Sequence, residues 1–104
     1  NLLTTSIIVR TISSMKIEFD TEKRDKTLQE RGLDFADAVE VFNGATLTME
    51  DNRRDYGEPR NITYGYLNGR EVVIVWTQRE TSKRIISMRK ANEREQQKFI
   101  RHLG

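Results

Sequence analysis

The chain has 104 residues with 18 basic and 16 acidic side chains, a net charge of +2 and no cysteine. That length holds one domain and one small core, and the missing thiols exclude a disulfide framework, a thiolate nucleophile and cysteine-bound zinc. A cysteine-free chain of this kind suits the cytoplasm. No run approaches the ~18 apolar residues of a membrane span. Residues 1–14 are not read as a secretory leader, because Arg10 interrupts the apolar stretch. They are read as an extension upstream of a start at Met15, and Ser6 to Ile12 has the β-branched pattern of an edge strand.

From Met15 the elements follow in order. Ile17 and Phe19 alternate around Glu18 as a short strand ending at Asp20, which is suited to N-capping a helix over Thr21–Arg31. Gly32 stops that helix, a polar one with Leu28 as its apolar anchor. A second helix begins at Asp34, with Phe35, Ala38, Val39 and Phe42 as a core-facing stripe, and Asn43-Gly44 closes it. Residues 46–49 form a modest strand, and 51–59 a charged loop. Ile62, Tyr64 and Tyr66 alternate as a half-buried strand, and Asn68-Gly69 is a strong hairpin signal. Val72-Val73-Ile74-Val75-Trp76 is apolar on both faces, as a central strand should be. A turn over 79–83 leads to a last strand over 84–90. Asn92 with Glu95 gives a capping-box start to a final helix, with Phe99 and Leu103 as its contacts. The order β-α-α-β-β-β-β-α implies an α+β domain, an antiparallel sheet with two N-terminal helices and a C-terminal one.

Charge is unevenly spread. Between Lys83 and Arg101 seven basic residues face only Glu93 and Glu95, the kind of surplus that phosphate binding uses. A solvated helix face is the plainer explanation of such a run. The single histidine, His102, cannot form a His–His pair or a histidine metal cluster. Glu50, Asp51 and Asp55 form a conceivable magnesium site, but mutual salt bridging with Arg53 and Arg54 accounts for them more simply. No phosphate-binding glycine loop or nucleophile elbow occurs. Strict alternation in the last strand sets Arg84, Ile86, Met88 and Lys90 on one face and Ile85, Ser87 and Arg89 on the other. Glu58 and Arg60 enter the sheet nearby, and an ion pair of Glu58 with Arg60 or Arg84 that only fixes the loop is the bland alternative to a site.

Four blocks carry a resemblance. They are Ile17-Glu18-Phe19-Asp20 with Lys23 and Arg31-Gly32-Leu33; Phe35-Ala36-Asp37-Ala38 with Val41-Phe42; Tyr56-Gly57-Glu58 with Arg60, Gly65 and Gly69-Arg70; and Arg84-Ile85-Ile86-Ser87-Met88-Arg89-Lys90-Ala91 with Glu95 and Phe99. In this order they resemble the BrnT family of type II toxins, similar in fold to RelE-type ribonucleases. The resemblance implies a RelE-like fold and an endoribonuclease that needs no metal or other cofactor. It also implies an RNA substrate, a BrnA-like antitoxin partner and the possibility of a higher-order toxin–antitoxin assembly. It points to Arg84 and Arg89 on the phosphate, Lys23 and Arg60 in phosphate or proton handling, and Glu58 as base. Arg31, Tyr64 and Lys90 are the RNA-binding candidates, with Tyr66 sharing the stacking role and Arg89 and Lys90 also available to the antitoxin. Arg31 departs from the family, which usually has histidine there; a guanidinium binds phosphate but is a poor base at neutral pH. The competing function is a nucleic-acid- or protein-binding module without catalysis.

Overall fold

The computed structural model describes residues 15–103; residues 1–14, with the edge strand expected over Ser6 to Ile12, and the Leu103 side chain lie outside what is described. The elements are β1 (Lys16–Phe19), α1 (Thr21–Arg31), a 3₁₀ turn (Phe35–Asp37), α2 (Ala38–Phe42), β2 (Leu47–Glu50), β3 (Asn61–Leu67), β4 (Arg70–Arg79), β5 (Ser82–Lys90) and α3 (Glu93–Leu103). They form one five-stranded sheet in the order β1-β5-β4-β3-β2. The Val72–Trp76 run thus occupies the middle strand. The sheet is not wholly antiparallel, since β1 lies parallel to β5, Glu18 opposite Arg84. The long chain between these two strands leaves β1 free to run either way, and it pairs with the otherwise open outer edge of β5.

Local chemistry explains the helices. Asp20 Oδ1 accepts from the Glu22 and Lys23 amides at 2.9 and 3.3 Å. Gly32 ends α1 at φ 71°, a left-handed conformation that glycine adopts without steric cost. Leu28 does not anchor this helix, being 40% exposed. Polar ties hold it instead: Arg24 clasps Asp34 through Nε and Nη2, both at 2.9 Å, and Arg31 donates to the Met88 carbonyl at 2.9 Å. The expected stripe on the second helix is also rephased. Its first turn is 3₁₀, with about three residues per turn, so Phe35, Ala38 and Val41 line up and are buried. Val39 and Phe42 are only partly buried, Phe42 meeting Trp76 edge-on at 5.5 Å. The capping box of α3 is reciprocal, Glu95 N to Asn92 Oδ1 at 2.8 Å and Asn92 N to Glu95 Oε1 at 2.9 Å.

Two departures in the last hairpin matter for function. The β4–β5 ladder runs to Arg79 opposite Ser82, so the turn is Glu80-Thr81 rather than residues 79–83. The register also breaks: Val75 pairs with Ser87 but Trp76 with Ile85, leaving Ile86 as a bulge. A bulge inserts one residue and resets the alternation. Ile85 and Met88, three apart, therefore enter the same core with Ile74 and Trp76. Arg84, opposite Thr77, and Arg89, opposite Val73, share the other face.

The sheet thus has two unequal sides. On one, Leu33, Phe35, Ala38 and Val41 complete the main core. Gly65 admits this packing, because a Cβ there would stand 2.6 Å from Val41 Cγ1. On the other, Phe99 of α3 packs on Tyr64, Val73 and Ala91, while Ile62, Val75 and Ser87 remain half-open. Phe35→Ala should cost about 3–5 kcal/mol, and Phe42→Ala clearly less, because only Phe35 is fully enclosed. Gly65→Ala should cost roughly 1–3 kcal/mol through overpacking. Urea midpoints check all three, and equal losses at Phe35 and Phe42 would contradict the 3₁₀ phase.

Candidate nucleic-acid interface

The half-open side of the sheet collects basic side chains from three directions. Along β5, the bulge sets Arg84 and Arg89 on this face with Ser87 between them. From the α1 side, Lys23 and Arg31 line a cleft of about 350 Å³ with Ile86 and Ser87. From the loop, Thr77 Oγ1 donates to the Pro59 carbonyl at 2.6 Å, which brings Arg60 in beside Thr77, the register partner of Arg84. Arg84 and Arg89 therefore share the open face, Arg60 borders it at Thr77, and the cleft of Lys23 and Arg31 borders it at Ser87. Lys90 does not border it, since it pairs with Val72 on the opposite face and lines a separate cleft with Arg70 and Glu71.

Each guanidinium is oriented by a partner. Arg84 Nη1 donates to Glu18 Oε2 at 2.9 Å, and Ser82 Oγ donates to the other oxygen of that carboxylate. Arg89 makes a two-pronged contact with Glu95 of α3 at 2.8 and 2.7 Å. Arg60 lies over the Tyr56 ring at 4.2 Å, and its buried Nε has no hydrogen-bond partner. Tyr56 is itself held by its hydroxyl donating to Asp51 at 3.0 Å. Arg31 spends one N–H on the Met88 carbonyl. This carbonyl lies past the end of β1, where β5 has lost its parallel neighbour. Glu58 forms neither of the expected ion pairs; it accepts from Arg79 at 3.2 Å.

The aromatic candidates separate. Tyr64 is 7% exposed and packs against Phe99, so it belongs to the core and presents no open ring for stacking. Tyr66, 38% exposed and tilted against Phe99, is the accessible one. Burial, followed by the Glu95 charge, raises the Tyr64 hydroxyl above its ordinary range. The carboxylates shift the other way. The Ser82 hydroxyl and then the Arg84 guanidinium lower the Glu18 carboxyl. Arg89 does the same to Glu95, Arg24 to Asp34, and Arg53 holds Asp51 far below the carboxylate range. Of the loop acids, Asp51 is thus engaged by Arg53 and Tyr56, while Asp55 accepts from the Gly57 amide at 2.9 Å. Among the described residues no three His, Cys, Asp or Glu side chains converge as a metal site would require.

Sequence reading missed Glu18 and Arg79. The signal for Glu18 was its place between two core-facing strand residues, which puts it on the open side. Its pairing with Arg84 depends on the parallel register, which no local pattern encodes. The fold and the face together define a small α+β domain with a half-open, guanidinium-lined surface suited to a polyanion. The family model for "Ribonuclease toxin, BrnT, of type II toxin-antitoxin system" matches residues 19–95. The chain belongs to this family, a family of ribonuclease toxins whose systems pair each toxin with a cognate antitoxin. A comparison with individually curated proteins gives no match. No helix among the described residues is long and apolar enough to cross a membrane.

The Arg89–Glu95 pair generates a pH prediction. A carboxyl whose folded pKa is lowered stabilises the fold above its unfolded value, here 4.5, and that contribution is lost as pH falls through the folded value. Wild-type stability should decline as acid is added below about 4.5. Glu95→Gln should be less stable at neutral pH and decline less steeply. Thermal melts between pH 7 and 3 check this; an unchanged acid limb would show that the pair contributes nothing.

Proposed function

We propose that this protein is an endoribonuclease that cleaves RNA without a metal, using the 2′-hydroxyl as nucleophile and restraining growth until its antitoxin binds. The observation that carries the reading is the set Arg84, Arg89, Arg60 and Lys23 around one open face, with family membership behind it. RNA brings its own nucleophile. The protein must align the 2′-oxygen, phosphorus and 5′-oxygen, neutralise the charge that grows on the phosphoryl oxygens, and move two protons.

Arg84 and Arg89 hold the phosphate, each pre-oriented by a carboxylate that leaves other N–H groups available. Lys23 and Arg60 flank the reacting group and supply further positive charge or a proton. Arg31 extends the phosphate track along α1. Tyr66, rather than the enclosed Tyr64, is the ring placed for base stacking. The antitoxin covers the same basic face with an acidic or amphipathic segment. A BrnA-like antitoxin, a higher-order complex and action in the cytoplasm belong to the same proposal, on family membership alone.

Cleavage should survive EDTA and leave 2′,3′-cyclic or 3′-phosphate ends with 5′-hydroxyls. Arg84→Ala should lower the rate roughly 10²–10³-fold with the fold intact. Arg84→Lys should recover only part, keeping charge but losing the planar fork. Gel and end-group analysis of RNA incubated with purified protein tests this. Products with 5′-phosphates, or activity restored by magnesium after EDTA, would overturn the mechanism. Intact RNA under all conditions would favour the non-catalytic binding module. Antitoxin association should slow as salt rises; a rate constant independent of salt would remove charge steering from the account.

A further inference from the structure

Two carboxylates border the open face near Arg84, and they differ in what they can do. Glu58 accepts from Arg79 beside the loop. Glu18 bonds Arg84 itself at 2.9 Å and, with Ser82, Arg79 and Glu80, lines a cleft of about 420 Å³. A base for the 2′-hydroxyl must stand within hydrogen-bond reach of a nucleotide whose phosphate is already on the guanidinium. A carboxylate bonded to that same guanidinium stands beside the phosphate that the guanidinium would hold. Each carboxylate oxygen has two acceptor directions, so the bonds from Arg84 and Ser82 leave room for a third donor. The ordinary alternative is an ion pair that only steadies the end of β1.

Building on the ribonuclease reading, we propose that Glu18, rather than Glu58, is the catalytic base of this protein. A Glu18 oxygen takes the proton of the 2′-hydroxyl as the 2′-oxygen bonds to phosphorus. The bond from phosphorus to the 5′-oxygen breaks, and that oxygen receives a proton from Lys23. Lys23 lines a cleft with Ile86 and Ser87, farther along β5 than Arg84. The products are a 2′,3′-cyclic phosphate and a 5′-hydroxyl. The charged and polar groups that face Glu18 are Arg84 and Ser82 of β5, Arg79 at the end of β4, and Glu80 and Thr81 in the turn. The arginines and the serine keep the carboxylate ionised at neutral pH.

The test is single-turnover cleavage of RNA across pH by wild type, Glu18→Gln and Glu58→Gln, with circular dichroism to confirm folding. Near pH 6, Glu18→Gln should be slower by roughly 10²–10⁴-fold. Without a base the 2′-alkoxide must form from solvent hydroxide. The variant rate then rises about tenfold per pH unit, and the gap to wild type closes toward alkaline pH. Glu58→Gln should keep the wild-type pH profile. A loss in Glu18→Gln that is the same at every pH would make Glu18 a positioning residue for Arg84 and overturn the proposal. So would a rate within a few-fold of wild type, or the closing gap appearing in Glu58→Gln. Should Glu18→Gln not fold, Glu18→Ala serves, since it also lacks a carboxylate, with the same convergence expected; a pH-independent loss again overturns the proposal. Failure of the wild type to cut RNA removes the ribonuclease reading and this assignment together, whereas the other contrary results remove only this one.

Discussion

The bulge at Ile86 decides which way β5 presents its side chains. In an unbroken strand, residues an odd number apart face opposite sides. Arg84 and Arg89 would be separated by the sheet, and Ile85 and Met88 would be divided between the core and the open face. One inserted residue resolves both conflicts. The two apolar side chains enter the main core, where each contributes on the order of 2–3 kcal/mol by leaving water. The two guanidinium groups share the half-open side. The core packing that favours the bulge is thus the same packing that gathers the positive charge, and a bulge beside a functional surface is a recurrent arrangement.

The outer edge of β5 follows from the same strand. Its first half pairs with β1, which delivers Glu18 to Arg84. Among the described residues no strand lies beside its second half, and Arg31 satisfies the Met88 carbonyl there. There α1 meets β5, and Lys23 and Arg31 line a cleft with Ile86 and Ser87. Charge on this face is held by carboxylates and an aromatic ring that leave the side chains partly exposed. Such pairs add little stability individually. Their effect is orientation, which reduces the ordering that remains when a phosphate arrives.

How much of this could be read from the sequence depends on the range of the interaction. Asp20, Gly32, Asn68-Gly69 and the Asn92–Glu95 box act over two to four residues, and their local signals agree with the structure. The five-residue apolar run named the middle strand for the same reason. The phase of α2 was not legible, because the 3₁₀ turn that shifts burial from Val39 to Val41 is set by packing around Gly65 and the Asp34 cap. The parallel pairing of β1 and the bulge are long-range choices, and with them went the partner of Arg84. Tyr64 and Tyr66 occupy equivalent places in the alternation. Phe99 of α3 touches both, but Tyr64 is also flanked by Leu47 and Val73, whereas Tyr66 lies beyond the last β2 pair.

On the ribonuclease reading proposed above, the bulge lets Arg84 and Arg89 act on one phosphate. A double-mutant cycle on the rate of RNA cleavage measures this directly, using Arg84→Ala, Arg89→Ala and both together, with melting curves to confirm that α3 remains docked. Groups that work as a unit lose less when removed together than the product of their separate losses. The account predicts that the double variant is slower than either single variant by much less than that product. Losses that multiply within about twofold would contradict it, assigning the two arginines to independent sites.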